Sequence, residues 1–101
     1  MVGLAGMMMA GLLASGGAPD MRVTLEGLDL ARPEGARAAA GRIRSASRDW
    51  CAAHRGFLTP DALGAPQVCE QEMRRRAYRQ IPPVERRLFV RAGGHRALTQ
   101  P

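Results

Sequence analysis

Residues 33–56 decide the fold, and they read PEGARAAAGRIRSASRDWCAAHRG. Small or apolar side chains recur along this stretch at spacings of three and four: Ala36, Ala39, Ala40, Ile43, Ala46, Ser47, Trp50, Cys51 and His54. The opposite side carries the arginines Arg37, Arg44, Arg48 and Arg55. This spacing predicts an amphipathic α-helix of about five or six turns. Pro33 and Glu34 suit its first turn, and we expect Gly56 to end it.

The segment before this helix alternates apolar and polar side chains, as a half-buried strand does. Residues 22–26 read RVTLE and residues 28–30 read LDL, and Gly27 shifts the phase between them. An isolated glycine in such a pattern indicates a bulge or the end of a strand. We therefore expect one strand over residues 23–30, packed across the helices. Its free edges would pair within the chain, with a partner strand or with a second copy in an edge-to-edge dimer.

Two more helices are predicted after the first. One runs from about Gln67 to Gln80, where Cys69, Met73 and Ala77 form a stripe. The prolines at 82 and 83 end it, because the residue before a proline is displaced from helical angles. A third, short helix is expected over residues 84–91, and the glycines at 93 and 94 would stop it.

The remaining residues read as connections. Two prolines and a glycine make residues 57–66 a loop, with one helical turn possible after Thr59-Pro60-Asp61, and the tail from His95 onwards is expected to be loose. The predicted fold is α+β and mostly helical: a short N-terminal strand, a helical hairpin and a short C-terminal helix. The expected core residues are Val23, Leu25, Leu28, Leu30, Ala40, Ile43, Trp50, Met73 and Ala77.

The first residues have the order of a secretory signal peptide. No charged side chain precedes Asp20, and the apolar run at 4–14 is followed by the small residues at 15–18. We expect residues 1–18 to be a signal peptide, with the cut near Gly16, because a cut after residue 18 would place Pro19 beside the scissile bond. Residues 19–101 would then form a single domain, periplasmic or secreted.

Two alternatives to the signal peptide stay open. A positively charged n-region is missing, which a mis-assigned start codon would explain. Met21 is also a candidate internal start of translation, which would make residues 1–20 translated upstream sequence. A membrane anchor is the other alternative, although the apolar run is rich in glycine and barely reaches the roughly 17–25 residues that a span needs.

Size and charge exclude several classes of protein. With 101 residues, the chain is too short for a multidomain enzyme, a usual dinucleotide-binding unit or a multi-span membrane protein. Its net charge is +6, and all fifteen basic residues are arginine. Nine of those arginines and only four of the nine acids lie in residues 51–101. The second half therefore carries most of the positive charge.

Two cysteines favour a disulfide. Cys51 lies near the end of the first predicted helix and Cys69 near the start of the second, so an antiparallel hairpin would bring them together beside the loop. An even cysteine count, a leader and a small core all favour that bond. Free buried thiols remain an alternative, as does a metal site in which His54 and His95 complete four ligands. His54 alone is more typical of a packed or capping histidine.

Several of these motifs together resemble the UrcA family of small exported proteobacterial proteins. They are VTLEGLDL at 23–30, PEG at 33–35, GRI at 41–43 and WC at 50–51. Family members show a strand ending in Asp-Leu-Asp-Leu, a nearby Gly, a helix with Arg-Ile and a Cys at its end. A second Cys then opens another helix, as VCE at 68–70 does here. The resemblance covers residues 23–80 and implies an exported two-cysteine domain without assigned catalytic residues.

Three features depart from the family pattern. Gly27 replaces the first Asp of the strand motif, and Ala31-Arg32 replaces the Ser or Thr that usually caps the helix. That helix therefore lacks a side-chain acceptor worth about 1 kcal/mol. The ending, with paired prolines at 82–83 and paired glycines at 93–94, also differs.

The sequence favours binding over catalysis. The two histidines and the scattered acids form no pairing of nucleophile and base, and we expect no enzyme activity, small-molecule substrate, cofactor or metal. The favoured function is a small exported protein-interaction module, acting through its strand edge or on an envelope protein. The alternative is an arginine-rich helical surface for an anionic partner: lipid, lipopolysaccharide or, with less support, nucleic acid. Its candidate residues are Arg74, Arg75, Arg76, Arg79, Arg86 and Arg87, with Arg91 beyond them and Tyr78 among them.

Overall fold

The computed structural model describes residues 20–57 and 64–100. The helices with described bounds are α1 (Pro33–Ala53), α2 (Pro66–Gln80), α3 (Pro83–Arg91) and α4 (Gly94–Thr99), and a 3₁₀ turn at Arg55–Phe57 follows α1. Helix α1 packs against α2 and α4, and α4 also contacts α3. None of the helices in these ranges is long and apolar enough to cross a membrane. The predicted signal peptide and the predicted turn after Thr59 lie outside the described residues.

The predicted α+β class is wrong, because residues 20–57 and 64–100 contain no strand. The alternating segment at 23–30 is irregular and lies on the helices, with Val23 and Leu25 buried and Thr24 exposed between them. Alternation thus reports that one side of the segment is buried. It does not report pairing, since the described residues hold no second segment to supply ladder hydrogen bonds. The edge-to-edge dimer was expected because a strand would have free edges. Without a strand in residues 20–57 and 64–100, that argument no longer applies.

A tight turn interrupts this segment at Gly27. The amide of Leu28 donates to the carbonyl of Leu25 at 3.2 Å, and Gly27 has a φ of +84°, which favours glycine over any residue with a Cβ. The guanidinium Nη1 of Arg42, on α1, donates to the carbonyl of Thr24 at 3.0 Å and ties the segment to the helix. The sequence indicated a bulge or a strand end at Gly27, and the structure has a turn there within a segment that is not a strand.

A second turn leads into α1. Oδ1 of Asp29 accepts from the amide of Ala31 at 3.0 Å, and the Asp29 carbonyl accepts from the amide of Arg32 at 3.1 Å. Arg32 is the N-cap of α1 and makes no side-chain capping hydrogen bond, as its sequence predicts. A Cβ at Gly35 would overlap the Asp29 backbone, so the close approach of turn and helix needs glycine there.

Helix boundaries agree with the sequence to within a few residues. Helix α2 was expected from Gln67 and begins at Pro66, while α3 was expected from Val84 and begins at Pro83. Proline suits these first positions, because its missing N–H would be unsatisfied there in any case. Helix α1 ends at Ala53, three residues before Gly56.

The C-terminal tail is ordered, so the expectation of a loose ending was wrong. Gly93 adopts a φ of +94° between α3 and α4, which lets the chain reverse and begin a new helix. Gly94 lies against the ring of Phe89, where a Cβ would clash, and Leu98 is buried in the core. Nη1 of Arg44 on α1 donates to the carbonyls of Ala97 and Gln100 at 3.2 and 2.6 Å. These contacts hold a helix too short to be stable alone.

Seven of the nine expected core residues are buried, and two, Leu28 and Trp50, are only partly buried. The seven are Val23, Leu25, Leu30, Ala40, Ile43, Met73 and Ala77. The sequence analysis did not predict three further core residues: Ile81, Phe89 and Leu98. The path of α3 and α4 brings them into the cluster that also contains Leu25 and Ile43. Ser47 is fully buried too, and its hydroxyl donates to the carbonyl of Ile43 at 2.8 Å.

Candidate anion-binding surface

The disulfide between Cys51 and Cys69 is present, with Cα atoms 6.1 Å apart. It joins the last turn of α1 to the first turn of α2, as the hairpin argument predicted. Both alternatives, free thiols and a metal site, require sulfur atoms that are not bonded to each other. In residues 20–57 and 64–100, no three His, Cys, Asp or Glu side chains are grouped to hold a metal ion.

His54 has a structural role at the end of α1. Its amide and its ring Nδ1–H both donate to the carbonyl of Trp50, the ring at 2.9 Å, which assigns the proton to Nδ1. The ring also stacks on the Trp50 indole with centroids 4.5 Å apart. The interpretation of His54 as a packed and capping histidine is confirmed.

The arginine run at 74–76 does not form one surface. Successive residues on a helix are about 100° apart, so the side chains of Arg74 and Arg76 leave α2 in directions about 200° apart. Met73 and Ala77 point into the core, which makes Arg75 the outermost of the three. Arg74 therefore lies on one flank of α2, and Arg76 and Arg79 on the other.

The flank that carries Arg74 faces α4 and borders a cleft of about 230 Å³, called here the α2–α4 cleft. Its walls are Gln71, Arg74, Arg75, Tyr78, His95, Leu98 and Thr99. The α2 residues follow a helical spacing, and His95 and Thr99 are one turn apart on α4. No acidic side chain among residues 20–57 and 64–100 lines this cleft.

A second depression, the α2–α3 groove, opens on the other side of Tyr78. Its volume is about 430 Å³, and the described residues that line it are Tyr78, Arg86, Arg87, Val90 and Arg91, none of them acidic. The Arg86 guanidinium lies 5.7 Å from the centre of the Tyr78 ring, within the range of a cation–π contact. Its Nη1 also donates to the carbonyl of Arg79 at 3.3 Å, at the end of α2.

Tyr78 separates the two depressions. Its ring meets the His95 ring edge-on, with centroids 5.0 Å apart, and tilts against Phe89 at 6.4 Å. Phe89 is fully buried, so this contact fixes the tyrosine to the core. The position of Tyr78 among the arginines was visible in the sequence, but its place between two grooves was not.

Charges around the α2–α4 cleft are unevenly balanced. Partial burial and the neighbouring Arg44 guanidinium lower the pKa of Arg74, and Glu70 raises it by a smaller amount. Arginine stays protonated at physiological pH even so. The shift marks a partly buried guanidinium with a second guanidinium nearby. An anion bound there would offset the repulsion between the two cations.

Glu72 compensates part of the positive charge on α2. Glu72 accepts from Arg75 Nη1 at 2.9 Å and from Arg76 Nε at 3.1 Å. These exposed ion pairs add little to stability, but they neutralise part of that charge. Neither Arg76 nor Arg79 lines the cleft or the groove. Of the six predicted arginines, the structure thus brings four together around Tyr78: Arg74, Arg75, Arg86 and Arg87.

The sequence missed His95 and Thr99 as members of this surface, because both lie in the tail that was expected to be loose. Gln71 was missed as well, although its helical spacing with Arg74, Arg75 and Tyr78 is a signal that the sequence contains.

No family model, curated protein or solved structure matches the chain.

Proposed function

We propose that the protein is a small, exported, non-catalytic protein that binds an anionic surface of the cell envelope through α2, α3 and α4. The observation that supports this function is the pair of depressions on either side of Tyr78. Four of the predicted arginines line them, and no acidic side chain in the described part of the chain does. Four guanidinium groups gathered around one tyrosine attract polyanions electrostatically, which supports a binding role for this surface.

This proposal replaces the favoured interpretation from the sequence, an interaction module with a free strand edge. Its route through a strand edge depended on a strand over residues 23–30, which residues 20–57 and 64–100 do not contain. Its other route, contact with an envelope protein, stays a prediction. Guanidinium groups suit phosphate and carboxylate oxygens in particular, because they offer several N–H donors in a fixed plane. Near a negatively charged membrane surface, each such residue contributes about 1 kcal/mol of binding free energy.

Export is part of the same proposal. The Cys51–Cys69 disulfide supports it, since such bonds persist in the periplasm and outside the cell. The apolar leader at 1–18 and the resemblance to the UrcA family point the same way. Intact mass of the protein recovered from the envelope fraction tests it: we expect loss of the leader and of two hydrogen atoms. Full-length mass with two free thiols would contradict export.

Binding is tested with heparin and with vesicles. We expect retention on heparin to fall steeply with salt, and binding to phosphatidylcholine vesicles to require added phosphatidylglycerol. A variant that replaces the four lining arginines with glutamine should lose most of both: R74Q/R75Q/R86Q/R87Q. Four exposed arginines elsewhere provide a control of equal charge: R22Q/R37Q/R48Q/R55Q.

The comparison between these two variants separates a site from net charge. If the first variant loses binding and the control keeps most of it, the surface around Tyr78 is the binding site. Equal losses would show that only the total charge matters, and that result would contradict the proposed surface. Circular dichroism and thermal unfolding verify that both variants fold.

A further inference from the structure

The two depressions differ in how their arginines are used. In the α2–α3 groove, Arg86 already contacts the Tyr78 ring and the Arg79 carbonyl. In the α2–α4 cleft, the Arg74 guanidinium makes no hydrogen bond or ion pair with any residue in 20–57 and 64–100, apart from its long-range attraction to Glu70. The cleft thus holds a partly buried cation whose donors are unused.

Other polar groups converge on the same cleft. Arg75 donates through one nitrogen to Glu72, and its other N–H groups remain as donors. The same space is bordered by the Gln71 amide, the Tyr78 hydroxyl and the His95 ring. Thr99 is less available as a donor, because its hydroxyl donates to the carbonyl of Arg96 at 3.2 Å. Leu98 supplies an apolar floor.

Volume and hydrogen-bond donors narrow the class of ligand. At about 230 Å³, the cleft is smaller than the roughly 300–1,000 Å³ of sites for drug-sized molecules, so it suits a single small group. Arg74 and Arg75 both line this space and together offer several N–H donors. A phosphate monoester has three terminal oxygens to accept from them, whereas a carboxylate has two.

We propose that the α2–α4 cleft binds a phosphate monoester, with Arg74 and Arg75 as its principal ligands and His95 and Tyr78 as its walls. This inference rests on the proposed function and names the chemical group that the surface recognises. Lipid headgroups and small soluble phosphate esters share that group. The arrangement is a pocket in a basic surface, so recognition by the cleft adds to the general attraction of the surface.

Titration with inorganic phosphate tests the pocket. At constant ionic strength, we expect amide NMR signals of the cleft residues to shift with a saturable profile, while signals around Arg86 and Arg87 move little. The variants R74Q and R75Q should each weaken phosphate binding by about tenfold or more, the loss expected for a charge-assisted hydrogen bond. The control R37Q, which removes an exposed charge from α1, should bind as the wild type does.

Three results would overturn the inference. They are equal phosphate affinity in R74Q and R37Q, shifts spread evenly over α3 and the cleft, and acetate binding as tight as phosphate binding. Heparin retention distinguishes this failure from failure of the proposed function. If retention persists while phosphate fails to bind, the surface stands without the pocket, and if both are lost, both proposals fall.

Vesicles identify the source of the phosphate group. Stronger binding to phosphatidylcholine vesicles that contain phosphatidic acid, a monoester, than to those that contain phosphatidylglycerol, a diester, would support a lipid headgroup. This preference should disappear in R74Q. Saturable binding of inorganic phosphate without a preference between the two lipids would support a soluble phosphate ester as the ligand.

Discussion

The two ends of α1 are held in different ways. Its N-terminal half contributes Ala36, Ala39, Ala40 and Ile43 to a cluster of eleven buried residues, which includes Leu25, Phe89 and Leu98. Its C-terminal end belongs to a cluster whose buried members, among residues 20–57 and 64–100, are Cys51, Cys69 and Met73. Non-covalent packing dominates the first end, and a covalent bond dominates the second.

This difference shows where a small helical protein needs a disulfide. The large cluster gathers side chains from the 20–30 segment and from all four helices, so its apolar surface is removed from water on many sides. Within the part of the chain that the structure describes, the small cluster is built from α1 and α2, with Met21 and the partly exposed Trp50 packed against it. The disulfide supplies the stabilisation that apolar packing supplies at the other end of α1. Met21 packs against both clusters and links them.

The largest effect is expected from removing the centre of the packed end. Phe89→Ala should lower the free energy of unfolding by about 3–5 kcal/mol, because the ring is fully buried and its loss leaves a cavity beneath Gly94. Urea denaturation followed by circular dichroism measures it. The neighbouring Val90→Ala is the control and should change stability little, since Val90 is 42% exposed. A cost for Phe89→Ala no larger than that of Val90→Ala would contradict the assigned core.

A somewhat smaller effect is expected at the covalent end. The double variant C51S/C69S should lose about 3 kcal/mol, the chain-entropy value for a bridge with a sequence separation of 18. Hydrogen exchange should then accelerate first near the end of α1 and the start of α2, while amides around Ile43 stay protected. Reduction of the wild-type protein should reproduce the result. Equal acceleration at both ends of α1 would show that the two clusters form one cooperative unit. That result would contradict the claim that packing holds one end of α1 and the disulfide the other.

Much of the helical fold follows from the sequence because its signals are local. The three-and-four spacing from Ala36 to Cys51 defines α1, and prolines at 66, 82 and 83 mark the beginnings of α2 and α3. The disulfide follows from the two helix ends at which its cysteines lie. Each of these inferences depends on neighbours within one or two helical turns.

What the sequence could not predict depends on distant contacts. The segment at 23–30 shows the alternation of a strand, yet whether it pairs depends on a second segment that the described residues do not provide. Helix α4 carries one strongly apolar residue, Leu98, and depends on the distant Arg44 and on Phe89 against Gly94. The sequence predicted most of the candidate arginines, but only the packing of α4 on α1 creates the cleft beside Arg74.

The disulfide also changes the topology of the chain. Residues 51–69 become a closed ring, in which the sulfur atoms provide a second covalent route between α1 and α2. Hydrolysis of a single peptide bond inside that ring adds one water, but the disulfide still joins the two fragments. The cut protein is therefore detected as one molecule, heavier by one water, until the disulfide is reduced. A protease that cleaves the oxidised protein between Cys51 and Cys69 therefore opens the ring. The helices that carry the arginines stay covalently attached to α1.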